Sequence, residues 1–322
     1  MANLKYNDNI VNKTREYTAE ETKMLEEFKK KNPIESTVKS LRLLWMDENM
    51  VKGASMYMEC LWLWEGKTTS GTSEEPHVHD FDEVIGFIST DKANPGELDA
   101  RMEIILGDET HYLTKSCLVH VPAGMKHCPL TFREVNRPVF FFTLAPVNRY
   151  GRTSENFGSQ EKKTPVESTF IPPEEPDASG TRYGRYIITG EKARKLPPRK
   201  GPRTAEATRV VSLDGGISPG AFYVDFAWIW SGNTTMAPEG HSHDWDELIG
   251  IVGFDRENPR KLGGEVSIIL GDEKHTLEKS SLIFVPGGLM HCPLEYKNIE
   301  KPVLCFTIGN TTEYTLHKQS DK

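Results

Sequence analysis

Short runs of alternating apolar and polar residues dominate the chain. "YMECLWLW" (57–64) and "FYVDFAWIW" (222–230) are rich in aromatic and aliphatic residues with a period of two, the pattern of half-buried strands. "IILGDETHYL" and "IILGDEKHTL" place Gly107 and Gly271 at tight turns between apolar runs, and Pro122 and Pro286 each follow a strand-like run, where a missing N–H does least harm. Many short strands with Gly and Pro turns predict an all-β barrel or double-sheet sandwich. One segment departs from this. Thr18 and Glu21 form a capping box ahead of "KMLEEFKKK", which predicts a helix over about residues 19–31, ended near Pro33.

The same pattern is written twice. "HVHDFDEVIG" begins at His77 and "HSHDWDELIG" at His241, and from there about 69 residues align without a gap, roughly half of them identical. "VPAGMKHCPL" matches "VPGGLMHCPL", and "RPVFFFT" matches "KPVLCFT". Two long copies indicate two domains rather than a solenoid, whose repeats are shorter and more numerous. The reading divides the chain into an N-terminal arm and helix (1–36), a first domain (37–146), a linker (147–206) and a second domain (207–322). The linker, with "FIPPEEPDASG" and "KLPPRKGP", reads as a surface segment carrying one strand at "RYIITG".

Composition narrows the function. Hydrophobic residues make up 37% of the chain, and no apolar run approaches the roughly 18 residues of a membrane span. "MANLKYNDNIVNK" lacks the apolar stretch of a secretion signal, so the cytoplasm is the expected compartment. A net charge of −8 argues against nucleic-acid binding, and the basic run at 192–203 is broken by three prolines, as in a solvated linker. The five cysteines are odd in number and lack CxxC spacing, which predicts reduced thiols.

Six of the ten histidines, His77, His79, His127, His241, His243 and His291, occupy the repeated motif positions. In a strand, residues two apart share a face, so His77 and His79, and likewise His241 and His243, project side by side. Glu83 and Glu247 keep that parity if the strand runs on. His127 and His291 follow a Pro and Gly bend able to aim them inward. Three neutral imidazoles and a carboxylate suit Mn, Fe, Co, Ni, Cu or Zn, with open positions on a five- or six-coordinate ion.

The spacing His-x-His-x3-Glu followed by Pro-x-Gly-x2-His resembles the two signature motifs of the cupin superfamily, and two copies resemble a bicupin. The motifs stand as "HVHDFDE" with "PAGMKH" and "HSHDWDE" with "PGGLMH". The resemblance implies two tandem double-stranded β-helix (jelly-roll) domains. It implies one divalent transition metal in each, held by His77, His79, Glu83 and His127 and by His241, His243, Glu247 and His291. The opening glycine of the first motif is displaced to Gly71 and Gly240, and a Cys-Pro pair follows each last histidine.

Other repeated residues have blander readings. Asp80, Asp82, Asp244 and Asp246 suit turns or caps. His111 and His275 suit solvated hairpins, and Cys128 and Cys292 suit buried packing. The pairs Trp62 with Trp64 and Trp228 with Trp230 suit a sheet core, with a substrate wall as the alternative. "TSENFG" contains Ser154, Glu155 and Asn156, which resemble the Ser-Glu-Asn lid of oxalate decarboxylases, but three letters in a loop recur by chance and the residues that follow depart from that lid. The reading that follows is a metal-dependent oxygenase or dioxygenase acting on a small oxygen-rich or aromatic molecule that chelates the metal, with Glu83 and Glu247 also taking a proton. The alternatives are a non-oxidative decarboxylase, isomerase or lyase, and a metal-dependent binding protein without catalysis. A homodimer through apolar outer sheet faces is the expected assembly.

Overall fold

The computed structural model describes residues 4–150, 169–191 and 204–318. Antiparallel strands make up most of it, and the single α-helix among the described residues, Ala19–Lys31, has the predicted bounds. The first copy folds into two sheets. One has six strands in the order Ile187–Thr189, Cys117–Val121, Glu83–Ser89, Val139–Ala145, Tyr57–Trp64 and Lys39–Met46. The other has five: Glu35–Ser36, Gly66–Ser70, His127–Val135, Glu97–Leu106 and Glu109–Lys115. The second copy repeats this arrangement, but its strand Tyr223–Met236 is unbroken and passes from one sheet into the other, joining eleven strands into one curled sheet. These are two jelly rolls.

Three apolar clusters lie among the described residues. One lies between the sheets of the first copy (Phe87, Ile104, Val119), and one lies in the second copy (Ile251, Ile268, Ile283). The third joins the copies through Trp62, Phe140, Phe142, Phe226, Trp228 and Phe306. This explains why Glu83–Ser89 and Glu247–Gly253 are buried at every position. One face of each strand looks into its own barrel and the other against the neighbouring copy, so the alternation of a half-exposed strand is lost. Phe142 stacks on Phe226 with ring centroids 4.7 Å apart, and Trp228 Nε1 donates to the Ser89 carbonyl at 2.8 Å. The tryptophan pairs are therefore packing residues of this inter-domain core. The apolar outer faces that suggested a homodimer meet each other within one chain.

A second repeat becomes visible only in three dimensions. "KYNDNIV" (5–11) and "RYGRYII" (182–188) each form a 3-10 turn followed by a short strand. The first arm pairs with the second copy, Ile10 opposite Ile283, and the second pairs with the first copy, Ile187 opposite Val119. The arms are thus exchanged. Glu273 accepts the backbone N–H groups of Lys5 and Tyr6, as Glu109 accepts those of Arg182 and Tyr183. Tyr6 and Tyr183 lie over Gly271 and Gly107, and neighbouring His275 and His111 are buried, 3% and 7% exposed. The solvated hairpin expected for these histidines is corrected: a segment distant in sequence covers them. Removing residues 1–11 uncovers the edge of Ser281–Val285 and is expected to lower the melting temperature and promote self-association, because an unpaired edge recruits other strands. A monodisperse truncated chain with an unchanged melt, read by size-exclusion chromatography with light scattering, would contradict the arm's role.

Candidate metal centres

The two motifs of each copy meet where the sheets face each other. His77 and His127 form an antiparallel bridge with both N–H···O bonds at 3.1 Å, and His241 pairs with His291 in the same way. Glu83 and Glu247 open the buried strands Glu83–Ser89 and Glu247–Gly253. A continuous strand from His77 to Glu83 was the basis for placing these side chains on one face, and the structure corrects it. Residues 78–82 are bends and coil, and their turn brings the ligands together. Each bend is stitched to the turn that carries the last histidine. Gly124 N–H donates to the His79 carbonyl, and Gly288 N–H to that of His243, both at 2.7 Å. Asp82 and Asp246 accept Ala123 N–H and Gly287 N–H at 2.8 Å. These aspartates act as caps, and each also reaches the other copy: Asp246 accepts from Ser55, and Asp82 lies 3.3 Å from His120, which contacts Ser218.

His77, His79, Glu83 and His127 offer donor atoms within 4.8 Å of one another, as do His241, His243, Glu247 and His291, and all eight residues are buried. His77 Nδ1 faces the Glu75 carbonyl at 2.6 Å, and His127 Nδ1 faces that of Met125 at 3.0 Å. In the second group the carbonyls of Glu239, Leu289 and Thr315 serve His241, His291 and His243. A carbonyl only accepts, so each of these Nδ1 atoms carries the proton and Nε2 keeps a lone pair, the tautomer a metal requires. Glu83 Oε2 lies 3.0 Å from His127 Nε2, and Glu247 Oε2 lies 2.9 Å from His291 Nε2. All four atoms are buried without a hydrogen bond. A lone pair facing a carboxylate oxygen at that distance is repulsive until a cation stands between them, so the residues fit a divalent metal.

Burial alone would raise the Glu83 carboxyl, but the facing His127 and His79 outweigh it and hold it well below the usual carboxylate range. Burial likewise opposes ionisation of Glu247, and His243 with His291 bring it down to about 2. Burial lowers His241, whereas for His291 the Glu247 carboxylate overcomes burial and raises it. A depressed Glu247 favours the folded metal-free chain above its ordinary value of 4.5, and that contribution is lost as pH falls towards about 2. Metal departs earlier, because a histidine binds metal only when neutral and His291, raised by the Glu247 carboxylate, takes up a proton before Glu247 does. Dialysis at stepped pH followed by elemental analysis is expected to show half-release between about pH 4 and 6. Retention at pH 3 would transfer the binding to carboxylates.

An aromatic rim that sequence reasoning missed surrounds each group. Tyr150 and Tyr314 reach it, and Phe81 and Trp245 stack on His79 and His243 with centroids 4.6 and 4.0 Å apart. The one available signal was that Tyr150 and Tyr314 keep the repeat's spacing just beyond its recognised end. Cys128 and Cys292 point into the barrel cores, as expected, and burial pushes the Cys292 thiol far above its ordinary range. Ser154, Glu155 and Asn156, like the basic run at 192–203, lie outside the described residues.

No family model matches the sequence, and no curated protein matches it. Solved structures do match in fold. The oxalate decarboxylase of Lactobacillus farciminis, in complex with formate, aligns with a TM-score of 0.53 and 11% identity over 89% of this chain and 85% of that one. The Bacillus subtilis oxalate decarboxylase, with Mn(II) centres, aligns with a TM-score of 0.53 and 10% identity over 89% of this chain and 76% of that one. Among the described residues, no helix is long and apolar enough to cross a membrane. Two jelly rolls in one chain, each enclosing a buried group of three histidines and one glutamate able to hold a metal ion, give this protein the two-jelly-roll fold of these structures.

Proposed function

We propose that the chain is a metal-dependent enzyme acting on a small substrate that chelates the metal through oxygen, with one centre in each of the domains 37–146 and 207–322. The observation that carries this reading is the pair of buried cages whose facing donor atoms lack hydrogen bonds. Binding alone does not require eight pre-oriented donors. When bound, the metal supplies a Lewis acid that stabilises negative charge on a chelated oxygen. His77, His79 and His127, and His241, His243 and His291, keep their lone pairs directed inward. Glu83 and Glu247 remain ionised against burial, as anionic metal ligands must.

The reaction class favoured here is non-oxidative decarboxylation of a small carboxylic acid, supported by the two oxalate decarboxylases of similar fold. That support is analogy, since one fold hosts many reactions. A second reading, oxygenation of a planar oxygen-rich molecule, is favoured by the half-buried Phe81 and Trp245 beside the cages. The two are separated by incubating metal-loaded protein with small di- and ketoacids and with enediols or catechols while following dissolved oxygen and carbon dioxide together. Carbon dioxide release without net oxygen uptake is the expected result. Stoichiometric oxygen uptake would install the second reading, and no turnover of any chelator by a fully loaded chain would leave a binding protein.

A further inference from the structure

We propose that Tyr150 is the positioning residue of the first cage, holding Glu83 as a one-oxygen ligand. The inference rests on the metal-cage reading but not on which reaction the cages perform. Glu83 has two oxygens with different surroundings. Oε2 faces His127 and His79 at 3.0 and 3.5 Å, whereas Oε1 accepts the Tyr150 hydroxyl at 2.9 Å. A carboxylate oxygen occupied by a hydrogen bond is withdrawn from the metal, which leaves Oε2 as the donor and an additional coordination position open.

Tyr150 is itself held in place by a chain of contacts leading away from the cage. Its ring lies against Tyr57 with centroids 4.6 Å apart, the Tyr57 hydroxyl donates to Glu59 at 3.2 Å, and Glu59 is paired with Arg42. The second copy contains the same chain. Tyr314 lies against Tyr223 at 4.9 Å, the Tyr223 hydroxyl reaches Asp225 at 3.5 Å, and Arg209 pairs with Asp225 at 2.6 Å. There the Tyr314 hydroxyl lies 3.5 Å from Nε2 of His241, the counterpart of His77, whereas Tyr150 lies 2.9 Å from Nε2 of His79. In each copy an Arg, a carboxylate and two tyrosines end with a hydroxyl at the metal-binding nitrogen of a histidine. Packing alone would explain the rings. It does not explain why the outer carboxylate, Glu59 or Asp225, keeps its charge type while its length changes, nor why both chains end in a hydroxyl.

The test is Tyr150→Phe, which keeps the ring and removes the oxygen. It is made in the full chain carrying His241→Ala to silence the second cage, and Co(II) binding is followed by visible absorption. The expected result is a 10- to 100-fold weaker Co(II) affinity, as for loss of other partners of metal ligands, with altered absorption bands as Glu83 rearranges and an unchanged metal-free melting temperature. Equal affinity and identical bands would overturn the proposal, as would a lowered melting temperature with unchanged bands, which marks packing alone. If the parent chain takes up no Co(II), the cage reading falls and takes this inference with it. Should the His241→Ala background fail to fold, Tyr150→Phe alone is expected to weaken one of the two Co(II) equivalents, and two unaltered equivalents would overturn the proposal.

Discussion

His77→Ala is expected to reduce the metal content from about two equivalents per chain to about one, with the remaining ion in the second cage, and His241→Ala is expected to do the converse. His77 supplies one of four donors and also shares the bridge that sets His127 beside it. The backbone bridge survives the substitution because both of its bonds are main-chain. The loss therefore falls on coordination, and the three donors that remain include Glu83 Oε2 and His127 Nε2, which repel each other without a cation. The second cage shares no donor with the first, so its occupancy is expected to hold. Elemental analysis of each variant reads the outcome directly. Two equivalents retained by both single variants would show that the assigned residues are not the ligands.

Gly86→Ala and Gly250→Ala are expected to give the largest losses of stability among single small substitutions. A Cβ on Gly86 would lie 2.0 Å from the Phe142 ring, and one on Gly250 would lie 1.9 Å from the Phe306 ring. Neither ring is free to retreat. Phe142 stacks on Phe226 at 4.7 Å and Phe306 on the same Phe226 at 4.6 Å, all within the core that joins the copies. Overpacking at such a site costs about 3 kcal/mol or more, a melting temperature lowered by about 5 °C or more. Shortening the ring is expected to relieve it, so Gly86→Ala with Phe142→Leu should be less damaging than the two effects added. An unchanged melt for Gly86→Ala would mean that the two jelly rolls are less tightly packed than described. This close approach is also why the ten-residue motif ends in glycine in both copies.

What the sequence made legible was local or duplicated. The helix has the bounds expected from its sequence, because the start and stop signals read there are local to the chain. The eight cage residues stood out because identical residue types recur at one spacing in two copies. The reasoning that put His77, His79 and Glu83 on one strand face reached the right grouping through a strand that does not exist there, since stitching by Asp82 and Gly124 replaces regular pairing. Contacts between distant segments were hidden. The arms at 5–11 and 182–188 share only a basic residue, a tyrosine and an aliphatic pair, at a spacing different from that of the domains, and their exchange depends on three-dimensional packing. His111 and His275 were misread for that reason. Tyr150 and Tyr314 were missed because they are isolated identities in polar stretches, and only the fold brings them over the cages.

The most direct test of the central claim is the metal identity and stoichiometry of the purified, untagged chain, measured together by elemental analysis before and after reconstitution. Two cages of three imidazoles and one carboxylate predict about two equivalents of a divalent transition metal per chain. No bound metal, and none taken up when Mn(II), Fe(II), Co(II), Ni(II), Cu(II) or Zn(II) is offered, would contradict the account and leave two jelly rolls without their centres.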